Sequence, residues 1–326
     1  MADQALLARK IRAALEARSL GTWPTPLDLQ PGLAHATGLD ALWLKREDLS
    51  APVCGGNKVR GLELVFARAG PGTVFVTLGG TGSTHCLATA VHASAVSCSA
   101  VLAQFSQPDT EIARAVAAAC ERAAAAVIRA GSIAGMPLAV MRAWRAAAQY
   151  GPRRWIPGGG AEPRAVVGQL LAGLELADQL SDPPDALVAP LGSGGTAAGL
   201  ALAMEALRWP TRVVAVRVAS FVVANRWRVT RLARGATRVL ARHGIELPRS
   251  RAAPLIVLDG VGRGYGHPTV EGERARALAA EHGTLLDPTY GAKTFAVLPA
   301  LAARGFRRVV FWHTFGALTD MPRPSA

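Results

Sequence analysis

Two glycine-rich turns, each joining a β-rich segment to an apolar helix, constrain the fold of this 326-residue sequence most strongly. Residues 73–78 (TVFVTL) run into 79–85 (GGTGSTH), and residues 186–191 (ALVAPL) run into 192–196 (GSGGT). A strand that ends in such a turn before a helix presents backbone N–H groups to an anion. Because strands and helices alternate along the chain, the sequence predicts an α/β fold with open, twisted, mainly parallel sheets.

The hydrophobic pattern also predicts how the chain divides. Strands are predicted at 41–45, 98–102, 213–218, 255–258 and 308–312, and helices include 109–130, 164–180 and 293–303. Glycine-rich joins near Cys54 and Gly160 predict two domains. The larger would contain 1–53 and 161–326 and bind the phosphate, and the smaller would contain 54–160.

Composition limits the cellular setting and the metal chemistry. Half of the residues are hydrophobic, which allows a sizeable core, but no apolar run reaches the length of a membrane span. The first twenty residues resemble an amphipathic helix of mixed charge rather than a signal peptide, so we expect a cytoplasmic protein without a membrane partner. The four cysteines lack CxxC or zinc-like spacing, which predicts reduced thiols and no metal site.

The net charge of +13 is of the kind found in proteins that bind nucleic acid, which makes nucleic acid one candidate partner. The positive charge is dispersed, and the one concentrated run, 225–243, has apolar residues at helical spacing. A solvated helix face therefore explains the charge better than nucleic-acid binding. A nucleic-acid binder remains the alternative, and it would be colourless and retained on heparin in a salt-sensitive way.

The segment 55–58 (GGNK) contains the candidate nucleophile. A glycine pair allows a sharp turn and a close ligand approach, and Lys58 follows where residues 59–68 predict a helix. A helix N-terminus lowers the pKa of an amine, which makes it a better nucleophile toward an aldehyde. The chain has only four lysines, at 10, 45, 58 and 293, whereas arginine is abundant. A retained lysine suggests a need for an amine that can lose its proton.

Other candidates lie on the glycine turns. The best phosphate cradle is the turn formed by Gly192, Ser193, Gly194, Gly195 and Thr196. The other glycine-rich turn, 79–85, contains Ser83, Thr84 and His85. The cradle also fits a dinucleotide pattern loosely, with Arg217 available for a phosphorylated ribose, so an NADP-dependent reductase stays open. Tyr265 and Tyr290 lie in glycine-flanked turns from which a phenol can reach a pocket.

A lysine at a glycine turn, a separate phosphate loop and polar groups at strand ends meet the needs of pyridoxal 5'-phosphate. The ordered motifs KREDLSAPVCGGNKVRGLE, GGTGSTHCLATA, IPGGGAEPRAVVGQLLAGLEL, VAPLGSGGTAAGL, GYGHPT, LDPTYGAK and FWHTFG cover nearly the whole chain. Together they resemble the D-cysteine desulfhydrase and 1-aminocyclopropane-1-carboxylate deaminase family. That resemblance implies the pyridoxal-phosphate fold type II of the tryptophan synthase β-subunit, an amino-acid substrate and a homodimer.

The resemblance also implies roles for individual residues. Lys58 would bond covalently to the cofactor aldehyde and remove the Cα proton, and residues 192–196 would hold the phosphate. Ser83, Thr84 and His85 would face the substrate carboxylate and the cofactor ring. Tyr265 and Tyr290 would be active-site tyrosines, and Asn57 and Thr314 would contact the cofactor.

The implied reaction is β-elimination from D-cysteine, which gives pyruvate, ammonia and sulfide. Cyclopropane deamination, β-replacement or racemisation in specialised metabolism are the alternatives. Three positions depart from the family pattern: Thr84 replaces an asparagine, Gly61 replaces a basic residue, and Gly291 replaces the glutamate that the deaminases carry near the pyridine nitrogen. Loss of that glutamate argues against ring opening of a cyclopropane.

Overall fold

The computed structural model describes residues 2–248 and 255–315, which form two sheets flanked by helices. The strands are β1 Leu27–Leu29, β2 Ala41–Arg46, β3 Val74–Gly80, β4 Ser99–Phe105, β5 Ala126–Ala130, β6 Arg153–Trp155, β7 Ala186–Leu191, β8 Arg212–Arg217, β9 Leu255–Asp259 and β10 Arg308–His313. The helices are α1 Ala2–Ala14, α2 Pro31–Thr37, α3 Lys58–Val65, α4 Thr84–Ser94, α5 Glu111–Ala123, α6 Met136–Ala147, α7 Pro163–Gln179, α8 Gly195–Leu207, α9 Arg226–Ala241, α10 Val270–Glu281, α11 Gly291–Phe295 and α12 Leu298–Ala303. Among these residues no helix is long and apolar enough to cross a membrane.

The larger sheet has six strands in the order β1-β2-β10-β7-β8-β9. Its pairings are parallel except that β1 runs antiparallel to β2 at the edge. Side chains of α1, α7, α8 and α9 cover one face, and those of α2, α10, α11 and α12 cover the other. Burial on both faces explains why β7, with the sequence ALVAPL, is almost continuously apolar.

The smaller sheet has four parallel strands in the order β5-β4-β3-β6. Residues of α3, α4 and α5 pack on one face, and residues of α6 pack on the other. All four strands lie within 54–160, the segment predicted to form the smaller domain. The exact domain boundaries stay a prediction.

Two predicted helices differ from the structure. The helix predicted over 109–130 ends at Ala123, and residues 126–130 pair with β4 as the edge strand β5. The β-branched pair Val127 and Ile128 favours this strand, but the alanine run before it hides the boundary. The helix predicted over 293–303 is divided into α11 and α12, with a proline in the first turn of α12.

Carboxyl ends of strands from both sheets open onto one cavity. The turns after β3 and β6 come from the smaller sheet, and those after β7, β8 and β10 come from the larger sheet. Ligands of open α/β sheets bind at these strand ends. This arrangement places the glycine-rich turns of the sequence around a common space.

Candidate active site

The cavity has a volume of about 660 Å³, within the range of small-molecule binding sites. Every site residue predicted from the sequence lines it: Asn57, Lys58, Ser83, Thr84, His85, Gly192, Ser193, Gly194, Gly195, Thr196, Tyr265, Tyr290 and Thr314. Gly316, the last residue of the FWHTFG motif, lies outside the described residues. The structure thus brings together residues that are more than 250 positions apart in the chain.

Lys58 is the first residue of α3, and its half-buried side chain reaches the cavity. Its Nζ donates a hydrogen bond to the carbonyl oxygen of Gly159 at 3.1 Å, and none of the described carboxylates pairs with it. Burial lowers the pKa of Lys58 to about 8. The direction agrees with the sequence prediction, and loss of hydration on burial is its cause.

Gly159 links Lys58 to the candidate phosphate turn. Its φ of +69° lies in the left-handed region, and an added Cβ would lie 2.5 Å from Ser193 Oγ. Ser193 Oγ also donates a hydrogen bond to the Gly159 carbonyl, at 3.4 Å. The sequence places the glycines at 158–160 in a domain join and in a family motif, but it predicts no contact with Ser193. The contact that requires glycine here joins residues 34 positions apart.

The turn at 192–196 lies between β7 and α8, as the sequence predicts. Gly194 adopts φ +92° at the N-cap of α8, a conformation that favours glycine. The first N–H groups of α8 have no acceptor within the helix, so they are available to an anion. Asn57 Nδ2 donates to Thr196 Oγ1 at 2.8 Å, and the Asn57 N–H donates to the Thr314 carbonyl at 3.0 Å. Asn57 therefore holds the turn against the end of β10.

Arg228, in the first turn of α9, is a cavity residue that the sequence prediction missed. Its Nε donates to the Ser193 carbonyl at 2.9 Å, so the guanidinium lies beside the candidate phosphate turn. The basic run at 225–243 was predicted to be a solvated helix face. One of its arginines instead faces the cavity, and its position in the first helical turn was the only available signal.

The glycine-rich turn after β3, residues 79–85, contains Ser83 and His85. Ser83 caps α4, and its Oγ accepts a hydrogen bond from the Cys86 N–H at 3.3 Å. His85 Nε2 and Thr77 Oγ1 share a hydrogen bond of 2.9 Å, whereas the buried Nδ1 has no partner among the described residues. Burial and the nearby Lys58 lower the pKa of His85 to about 3, so its ring is neutral. An unpaired buried nitrogen at a cavity wall is suited to a ligand.

Tyr265 and Tyr290 form a pair at the cavity wall. Their hydroxyl groups share a hydrogen bond of 2.5 Å, and their ring centroids are 6.0 Å apart. Burial raises the pKa of Tyr265 to about 12 and raises the pKa of Tyr290 well above its ordinary value. Both phenols therefore stay protonated near neutral pH, so each keeps its hydroxyl proton at the cavity wall.

Asp287 and Lys293 hold the two tyrosines, and sequence reasoning gave neither a role. The Asp287 carboxylate accepts hydrogen bonds of 2.7–3.0 Å from the backbone N–H groups of 289–291, which include that of Tyr290. The buried Lys293 Nζ donates to two carbonyls of the 261–264 loop, at 2.8 and 3.2 Å, directly before Tyr265. The LDPTYGAK motif contained both residues, but their partners could not be identified from spacing.

The structure explains two of the three departures from the family pattern. A Cβ added at Gly61 would lie 3.0 Å from the Ala165 Cβ, because α3 and α7 pack closely there. A Cβ at Gly291 would lie 3.0 Å from Asp287 Oδ2, which accepts the Gly291 N–H. A larger side chain at either position requires its neighbours to shift. Nothing in the structure explains the threonine at position 84.

The NADP alternative depended on Arg217. That guanidinium pairs with Asp259 at 3.0 Å, donates to the Ala224 carbonyl and lies over the Phe221 ring. It does not line the cavity that the described residues form. Arg217 is therefore occupied by protein partners rather than facing the phosphate turn.

Comparisons with known proteins agree with this geometry. A family model described as "Pyridoxal-phosphate dependent enzyme" matches residues 18–314. Nocardicin C-9' epimerase of Nocardia uniformis subsp. tsuyamanensis is 34% identical over 316 residues, which cover 92% of this chain and 93% of that protein. D-cysteine desulfhydrase of Salmonella paratyphi A is 30% identical over 313 residues, 90% of this chain and 92% of that protein. The crystal structure of an ACC deaminase homologue superposes with a TM-score of 0.80 and 27% identity over 95% of each chain.

Proposed function

Because this chain belongs to the pyridoxal-phosphate dependent enzyme family, we propose that it is a lyase that eliminates the β-substituent of an amino acid such as D-cysteine. The observation that carries this proposal is the set of side chains and backbone groups that line one cavity. An amine without an ion pair, an anion-binding turn and a protonated tyrosine pair line the same space. These are a base, a cofactor anchor and an acid.

The residues present fit pyridoxal 5'-phosphate. Lys58 supplies an amine of lowered pKa, and the N–H groups of 192–196 and Arg228 suit a phosphate. His85 Nδ1 has no partner in the part of the chain that the structure describes. Thr314 adds a hydroxyl at the end of β10. When bound, the cofactor supplies an aldehyde that captures the substrate amine and a ring that takes up negative charge from Cα.

The chain's own groups move the protons. Lys58 Nζ accepts the Cα proton, since an amine with a pKa of about 8 is partly unprotonated near neutral pH. As the Cβ–S bond breaks, its electron pair stays on sulfur, and a hydroxyl of the tyrosine pair protonates that sulfur. The three-carbon enamine that remains reacts with water to give pyruvate and ammonia.

Ser83 and the start of α4 suit the substrate carboxylate. The helix begins at Thr84, and its first N–H groups lack helical acceptors. A carboxylate there also meets the positive end of the helix dipole. We propose that this contact orients Cα toward Lys58.

The test is pyruvate release from D-cysteine by the purified holoenzyme. We expect turnover in the wild type, and we expect Lys58→Ala to reduce kcat/KM by about a thousandfold, since it removes the base. The exposed Lys10→Ala is the matched control and should behave as wild type. Absence of pyruvate with the wild type, or full activity in Lys58→Ala, would reject the proposal.

Epimerisation at Cα is a second candidate, because the relative with 34% identity is named as an epimerase. In that reaction Lys58 removes the proton and the tyrosine pair returns one to the other face. Incubation in deuterium oxide separates the two reactions. Deuterium in recovered substrate of inverted configuration, without pyruvate, indicates epimerisation, whereas pyruvate indicates elimination.

Cyclopropane ring opening and β-replacement remain same-family alternatives. Gly291 disfavours ring opening, because the nearby carboxylate of Asp287 is occupied by backbone N–H groups. Assays with 1-aminocyclopropane-1-carboxylate, and with D-cysteine plus a second thiol, separate these reactions by their products.

We also propose that the enzyme works as a homodimer, which the family resemblance implies, and that it lies in the cytoplasm, which the sequence pattern of the first twenty residues favours. Light scattering on the purified protein tests the first point. A mass of one chain, 33.9 kDa, would contradict it. Fractionation of the source cells tests the second point.

A further inference from the structure

The cavity has apolar walls that a small substrate does not use. The proposed reaction needs Lys58, Ser83, the tyrosine pair and the phosphate turn, which are polar. The same cavity is also lined by Phe105, Ile133, Met136, Val222, Val223 and Phe315. The side chain of D-cysteine ends in a single thiol and cannot contact this many apolar groups.

Three of these apolar residues are also exposed. Ile133 is 70% exposed, Val222 is 80% exposed and Val223 is 40% exposed. Ile133 follows β5 of the smaller sheet, whereas the two valines follow β8 of the larger sheet. Apolar side chains that stay exposed beside a cavity are typical of a ligand-binding groove. Because they come from different sheets, a ligand between them contacts both halves of the molecule.

The charges around the cavity limit the ligand further. Within 2–248 and 255–315, no carboxylate lines the cavity, and its cationic side chains are Lys58 and Arg228. An ammonium or guanidinium at the end of a substrate side chain would find no counter-charge there. A neutral apolar side chain loses little hydration on entering such a space and gains contact with its walls.

We propose that the substrate is an amino acid whose side chain beyond Cβ is large, apolar and uncharged, and that Ile133, Val222 and Val223 bind that part. This inference rests on the proposed function and names its substrate class. For β-elimination, the group beyond Cβ is an apolar thiol. The Cβ–S bond breaks, sulfur keeps the electron pair and receives a proton from the tyrosine pair, and the thiol leaves in place of hydrogen sulfide.

A first experiment compares D-cysteine with S-benzyl-D-cysteine on the holoenzyme, since both release pyruvate by the same elimination. We expect kcat/KM to be at least about tenfold higher for the benzyl substrate, because its ring is buried against the apolar walls. Val222→Asn and Ile133→Asn should lower this ratio toward one. Val270→Asn is the matched control, because Val270 is 64% exposed and does not line the cavity.

A second experiment measures binding without turnover. Benzylthio-propanoate and methylthio-propanoate lack the amine and cannot react, and calorimetry on the holoenzyme gives the affinity of each. We expect the benzyl compound to bind about tenfold more tightly, with a more negative heat-capacity change. Val222→Asn should abolish the difference, whereas Val270→Asn should preserve it.

The outcomes separate this inference from the proposed function. Pyruvate from D-cysteine with no benzyl preference in either experiment overturns the inference alone. Benzyl-selective binding without pyruvate from either substrate overturns β-elimination and supports the substrate class. If Val222→Asn and Ile133→Asn change the mass of the assembly but not the benzyl preference, these residues cover a subunit contact and the inference is wrong.

Discussion

Lys45 is fully buried and Lys58 is half-buried, and the surroundings of the two amines differ. Lys45, on β2, is fully buried, and its Nζ donates to Glu175 at 2.5 Å and to Gln179 at 2.7 Å. Glu175 also binds Arg60, which pairs with Glu47. The Lys58 amine donates to one carbonyl oxygen, and no carboxylate within 2–248 and 255–315 pairs with it. One lysine belongs to a buried ion network, and the other faces a cavity.

The comparison separates burial from reactivity. Burial lowers the pKa of both amines, but the Glu175 and Glu47 carboxylates oppose this shift at Lys45. Nothing opposes it at Lys58, whose pKa falls to about 8. An amine that loses hydration without a counter-charge is more often unprotonated, which makes it a better nucleophile. The network of Lys45 has another use: it holds Arg60, two residues after Lys58, and so fixes the start of α3.

The largest expected effect is on covalent labelling by the cofactor when Lys58 or Lys45 is replaced by methionine. Borohydride should fix pyridoxal phosphate covalently to the wild type, and peptide mapping should find the label on Lys58. Lys58→Met should lose this labelling completely, whereas Lys45→Met should retain it in the folded fraction, because its amine is engaged by Glu175. Label on Lys45 or Lys293 in the wild type would contradict the conclusion that Lys58 is the reactive amine.

Removing the counter-charge tests the ion network. Glu175→Gln leaves Lys45 and Arg60 with too little negative charge, so we expect the free energy of unfolding to fall by about 3 kcal/mol in urea titrations. The matched control is Glu273→Gln, which breaks an exposed pair with Arg276 and should cost less than about 0.5 kcal/mol. Equal losses of unfolding free energy in the two variants would show that burial does not increase the cost of breaking an ion pair here.

The pH dependence of cofactor loading sharpens the comparison. The folded-state pKa of Lys58 is depressed to about 8, so the reactive free amine is lost as pH falls below that value. Rates of covalent loading of the cofactor-free protein should rise about tenfold per pH unit below pH 8 and level off above it. A midpoint near the ordinary lysine pKa of 10.5 would show that burial does not act on this amine.

Lys293 is buried like Lys45 and tests a positioning role. Its Nζ holds the loop before Tyr265, so Lys293→Met should misplace that phenol. We expect kcat to fall by about tenfold while borohydride labelling of Lys58 is unchanged. Lys293→Arg should recover part of the activity, since it keeps a donor. A parallel loss of labelling would indicate that Lys293 supports the whole cavity rather than the tyrosine pair.

Sequence reasoning located seven of the ten described strands, all but β1, β5 and β6, and the site candidates, because their signals are local. Glycine turns follow β3 and β7, and parallel strands bring their carboxyl ends to one edge, so residues 83–85 and 192–196 meet in one cavity. The strand β5 was missed because an alanine-rich run has little periodicity. Asp287 and Arg228 were missed because their roles depend on hydrogen-bond partners that residue type alone does not identify.

The order of motifs along the chain predicts the α/β class, and the family resemblance that these motifs carry implies the cofactor and the lysine that should bind it, because both depend on residue types rather than on distances. Folding decided which buried amine lacks a carboxylate, which arginine faces the phosphate turn and how apolar the substrate space is. Those properties depend on distances between residues far apart in the chain. Hydration and charge pairing respond to such distances, which residue spacing does not specify.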